Sequence, residues 1–183
     1  MKLRVLYITL FLLASAYALP LGAQERKTIS KVSMYNSLKG VGASIDIPRD
    51  HNTFDNFILS TDFEDVLTAR VGNPGYKLTY FHCFDLGHFK DYEGIDAHVY
   101  AGPGMSLGYV RSNQRHYGVA TALAGVIGME EKFSDHLAIS IQWSMDVGIF
   151  LFHFNHQAIL SSEQYYSGAK RIWMPEIKLT YCL

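Results

Sequence analysis

Residues 137–149 read LAISIQWSMDVGI and alternate without a break. Leu137, Ile139, Ile141, Trp143, Met145, Val147 and Ile149 share one parity, and Ala138, Ser140, Gln142, Ser144, Asp146 and Gly148 share the other. A period of two is the signature of a β-strand, whose successive side chains point to opposite faces of a sheet. One face of this strand is bulky and apolar; the other is small and polar.

Working outward, the same split recurs. Residues 117–131 (YGVATALAGVIGMEE) set Tyr117, Val119, Leu123, Ile127 and Met129 against Gly118, Ala120, Ala122, Ala124, Gly128 and Glu130. Residues 95–110 set Val99, Met105, Leu107 and Tyr109 against Asp96, His98, Tyr100, Gly102, Gly104 and Gly108, and SNQRH at 112–116 reads as the hairpin connection between these two strands. Strands are also expected at 40–47, at 56–64, and at 76–84 after the turn signal NPG at 73–75. The closing stretch 173–183 is another, and 27–36 is a weaker eighth. FSD at 133–135 reads as a short turn, and about 152–171 as the longest loop.

The chain has 183 residues, enough to bury a core without a disulfide framework or a metal. Its first 23 residues form a secretory signal: Lys2 and Arg4 precede an apolar run that ends among Ala16, Ala18, Gly22 and Ala23. Cleavage is expected after Ala23, with Ala18 as the alternative, leaving one domain over 24–183. The whole chain carries 16 basic and 17 acidic residues, so loss of Lys2 and Arg4 leaves 14 against 17 and a formal charge of −3. That balance lacks the basic footprint of a nucleic-acid-binding protein. Beyond the signal, no run approaches the ~20 apolar residues of a spanning helix. Cys83 and Cys182 fit neither a disulfide framework nor a zinc spacing, and both are expected as free thiols near the ends of the fourth and eighth strands.

Volume decides which face looks outward. The interior of an eight-stranded barrel is just wide enough to be filled by side chains. It cannot hold five or six large apolar residues from every strand, whereas the small and charged face fits. Asp46, Asp62, Glu64, Lys77, Asp96, His98, Glu130, Asp146, Glu176 and Lys178 are then expected in the lumen, with Gly and Ala making room. Polar inside and apolar outside is the pattern of a transmembrane barrel. Tyr109, Tyr117, Phe133, Trp173 and Tyr181 near strand ends suit the lipid–water interface. The rival is a soluble sandwich or lipocalin-like barrel binding a small apolar ligand, whose strands alternate as well.

KGVGASIDIP, YAGPGMSLGYV, EEKFSDHLAISIQW and PEIKLTYCL together resemble the small eight-stranded outer-membrane β-barrel proteins of Gram-negative bacteria, of OmpA-type or OmpX-type size. The resemblance implies an all-β, antiparallel, up-and-down barrel in the outer membrane, with both termini periplasmic. It further implies contact with outer-membrane lipid and recognition of the last strand by the outer-membrane insertion machinery. The family usually ends on an aromatic residue; this chain ends on Leu183, with Tyr181 two residues earlier.

Chemistry-bearing patterns are sparse. GPGMSLG lacks the G-x-G-x-x-G spacing and precedes no helix, so its glycines read as space relief in a crowded interior. The lumen charges fit a salt-bridge network better than a catalytic set, because buried charges must be paired. Within it, Glu176 and Lys178 stand out. His153 and His156 lack a third ligand, which makes them weak metal candidates, and no cofactor is expected. An outer-membrane enzyme acting on lipid or peptide is the alternative to a structural or loop-mediated binding role, although no His-x-Ser-Asn run is present.

Overall fold

In the computed structural model, described over residues 31–37, 40–50, 52–62, 75–90, 96–111, 117–153, 160–167 and 175–183, the alternating stretches become strands. They are β1 Lys31–Ser37, β2 Gly40–Asp50, β3 Thr53–Asp62, β4 Gly75–Lys90, β5 Asp96–Arg111, β6 Tyr117–Lys132, β7 Leu137–His153, β8 Leu160–Ser167 and β9 Glu176–Cys182. No helix occurs among the described residues. The expected signal segment, residues 1–23, lies outside them.

Every strand from β1 to β7 pairs antiparallel with the next, and β9 closes the ring by pairing with both β7 and β1. β8 and β9 share one position: β8 lies along residues 146–153 of β7, and β9 along residues 137–142. The nine segments are therefore eight staves of a closed antiparallel barrel, the last stave being in two pieces. Closure removes the unpaired sheet edge that an open sheet would leave.

β8 corrects the expectation of one long loop over 152–171. Its sequence, LSSEQYYS, has no apolar face to reveal the period, and Ser162 and Gln164 on its outward side are polar and exposed. The fourth strand also runs past the expected end to Lys90, so Cys83 sits well inside it. Of the closing strand, the described part begins at Glu176, and Trp173 lies outside the described residues.

Two register shifts, at Pro48/Asp50 in β2 and Asp85/Gly87 in β4, interrupt the ladders. A third irregularity has a direct cause. The β4–β5 pairing runs to Phe81↔Gly104, resumes at Phe84↔Ala101, and skips Pro103, which has no N–H to give.

The faces segregate as the volume argument requires. On β6 and β7 the parity of Leu123, Ile127, Trp143, Met145, Val147 and Ile149 is exposed, Leu123 to 76 %. The opposite parity, including Ala120, Ala122, Glu130, Ser140, Gln142 and Asp146, is buried. Small residues in the wall let large ones cross the lumen. Tyr100, Gly128 and Gln142 are successive partners on β5, β6 and β7. The Tyr100 hydroxyl passes over Gly128 to donate to Gln142 Oε1 at 3.0 Å; a Cβ on Gly128 would come within 2.5 Å of the Tyr100 ring. Tyr35, Ile58, Phe81, Cys83, Tyr100 and Val126 form the apolar part of the filling.

Candidate functional site: the polar lumen and an outward polar cluster

Lumen charges are positioned by strand parity and paired across the barrel, with Asp146 Oδ1 left buried and without a hydrogen-bond partner among the described residues. Lys178 Nζ is 3.5 Å from Asp46 Oδ1, which also accepts from Asn56 Nδ2. Lys31 pairs with Glu130, whose other oxygen accepts from Ser140 Oγ at 2.9 Å. Lys77 Nζ donates to Asp146 Oδ2 at 2.7 Å. Each pair joins staves that are not neighbours in the sheet: β9 to β2, β1 to β6, β4 to β7. A charge that is deeply buried must find such a partner, because desolvation without compensation costs several kcal/mol.

The pair singled out in the sequence, Glu176 and Lys178, separates. Lys178 goes to Asp46, and Glu176 accepts from Gln142 Nε2 at 2.9 Å and Ser144 Oγ at 2.7 Å. Residues two apart on a strand share a face, yet each reaches sideways to a different stave. His98 lies 3.9 Å from Glu130, and Asp96 takes its partner, His88, from the neighbouring strand near the barrel mouth. Asp62 ends β3 with its side chain outside the description, Glu64 and His156 lie outside the described residues, and His153 is the last residue of β7. Lys31 was not anticipated as a lumen residue; it opens the strand whose start was hardest to place.

Aromatic residues mark both ends. Tyr109 and Tyr117 stack with ring centroids 5.7 Å apart at one end. Phe133 is exposed in the 133–136 turn at the other end, where Tyr181 stacks on His136 at 5.9 Å.

A second polar group faces the opposite way. Asp55 has the outward parity of Phe57 and Leu59, yet is 3 % exposed. Three neighbouring side chains cover it. Arg49 Nε donates to Oδ2 at 2.5 Å, and Tyr80 Oη donates to Oδ1 at 3.0 Å. His82 Nδ1 lies 2.8 Å from the same Oδ1. In sequence, Tyr80 and His82 fall on the apolar face of β4 and Asp55 interrupts an apolar parity on β3. Only the register, Asp55↔His82, brings these exceptions together.

No family model and no curated protein matches the chain. Among solved structures, it is similar to the N-terminal β-barrel domain of OprF from Pseudomonas aeruginosa, with a TM-score of 0.50 at 10 % identity, over 87 % of this chain and 100 % of that one. The likeness is one of fold.

Proposed function

We propose that the chain is an integral β-barrel of the Gram-negative outer membrane, exported by its signal segment, with a lumen closed by its own side chains. Its role is structural or exercised through the loops at the end away from the termini. The inversion of polarity carries this reading. Met34, Leu59, Met105, Leu123, Ile149 and Ile177 stand on the outside while Asp46, Glu130, Asp146 and Lys178 are buried within. In water that arrangement leaves the apolar face exposed; in a bilayer lipid covers that face, while the closed ring lets neighbouring strands satisfy each other's backbone groups and the lumen charges keep their partners inside. Tyr109 and Tyr117 at one end, and Phe133 and Tyr181 at the other, suit the two interfaces.

Closure of the lumen rests on Phe81, Tyr100, Gln142 and Lys178, which fill it at the level where ion pairs cross it. The same sealing disfavours an enzyme working from these charges, since Asp46, Glu130 and Lys178 are already committed to protein partners. Outer-membrane lipid is the partner of the outer face, and the insertion machinery the partner of the closing strand around Tyr181.

The test combines fractionation with electrophoresis and conductance. The protein is expected in the outer-membrane fraction, with heat-dependent gel mobility and no sustained conductance in planar bilayers. Recovery as a soluble periplasmic protein that takes up an apolar ligand would replace the membrane reading with the lipocalin-like one. A steady open level would overturn the closed lumen.

A further inference from the structure

We propose that Arg49 and His82, held by Asp55 and Tyr80 on the outer face, bind the phosphodiester head group of a glycerophospholipid at the barrel end where β1 begins and β9 finishes. The proposal rests on the membrane reading above. A carboxylate and an imidazole on the apolar face of a spanning barrel are costly, and ionisable groups there are functional candidates by default. Apolar side chains in their place would satisfy the fold.

Position points to the head-group level. Asp55 is two residues from the start of β3, and Arg49 is next to the last residue of β2, at the end where Lys31 meets Cys182. Towards the middle of the wall lie Ile45, Phe57 and Leu59, and Phe84 flanks His82 with its ring 4.9 Å from the imidazole. A phosphate at the cluster would thus leave its acyl chains against an apolar surface.

The atoms left over select the ligand's charge. Asp55 uses both oxygens on three neighbours, so it has little to offer an ammonium group. Arg49 spends only Nε on Asp55, and its side chain is 52 % exposed, which leaves both terminal nitrogens for the bidentate geometry that guanidinium makes with phosphate. His82 spends Nδ1, and its side chain is 38 % exposed beside the ladder gap at Pro103. A carboxylate bonded to one ring nitrogen fixes the orientation of the other, so Asp55 positions His82 as well as Arg49. The donors left over are the terminal nitrogens of Arg49, joined by His82 Nε2–H when the ring carries both protons, and they converge on an anion.

Native mass spectrometry of the full barrel in a phosphate-free detergent provides the test, with dioleoylphosphatidylglycerol as the probe. Dioleoylglycerol and inorganic phosphate serve as comparison arms. One phosphatidylglycerol should stay bound, dioleoylglycerol should not, and Arg49→Gln or His82→Gln should each weaken retention by about tenfold, the worth of one charge-assisted hydrogen bond. Thr121→Ala, on the outward face elsewhere, should leave retention unchanged. Equal retention by the Arg49 and His82 variants, retention of dioleoylglycerol, or displacement of the lipid by equimolar inorganic phosphate would overturn the head-group site. Heat-dependent mobility and entry into dioleoylphosphatidylcholine vesicles are measured on the same samples. If they hold while lipid retention fails, the barrel reading stands and only the site falls; if they fail, the membrane reading falls.

Discussion

Lys178 is 1 % exposed, and its ammonium faces a carboxylate that is nearly as deeply buried. Truncating it to Met leaves Asp46 charged and without its cation, so Lys178→Met should destabilise the barrel by about 3–5 kcal/mol. The double variant Lys178→Met/Asp46→Asn should recover most of that loss, because it removes both charges together. Urea unfolding in detergent measures both. At this scale the sequence was informative about parity and silent about partners. Asp46, Glu130, Asp146 and Lys178 could be placed on the inner face from spacing alone. That Lys178 reaches Asp46 rather than Glu176, and that Tyr100 crosses over Gly128, depends on the stagger between strands, which no single strand encodes. The outward cluster was hidden for the same reason: β2, β3 and β4 each contribute exceptions that look isolated until the strands are laid side by side.

The last stave shows how differently two strands in one position can behave. β9 is hydrogen-bonded on both edges, to β7 and to β1, whereas β8 has only β7 beside it among the described residues. Proline removes a ladder hydrogen bond and is poorly tolerated where both edges are paired. Thr180→Pro should therefore abolish the heat-modifiable band, and Ser162→Pro should leave it in place. The legibility of the elements follows their surroundings. β5, β6 and β7 announced themselves because each presents a long apolar face. β8 did not, since its exposed positions at Ser162 and Gln164 are polar and no periodic contrast survives. β4 outruns its alternating stretch because the Asp85/Gly87 register shift breaks the parity.

For the molecule as a whole, one substitution interrogates the environment of the outer face. Leu59 is outward, 55 % exposed, and lies between Ala43 and Leu78 in the wall. If lipid surrounds it, Leu59→Arg should cost about 2–4 kcal/mol, as a cation does near the middle of a bilayer-facing barrel. In water the same change at an exposed site should fall within about 0.5 kcal/mol. Folding into vesicles against folding in detergent-free buffer separates the two outcomes. Among the described residues the ring also has a weakest joint. β5 and β6 are zipped from Asp96↔Lys132 to Arg111↔Tyr117, while the first and last strands meet, among those residues, from Lys31↔Cys182 to Asn36↔Ile177. A hoop opens where it is least fastened. On warming, the amides of Met34 and Leu179 should take up deuterium well before those of Met105 and Leu123, and the barrel should come apart as a torn cylinder, its two chain ends parting first.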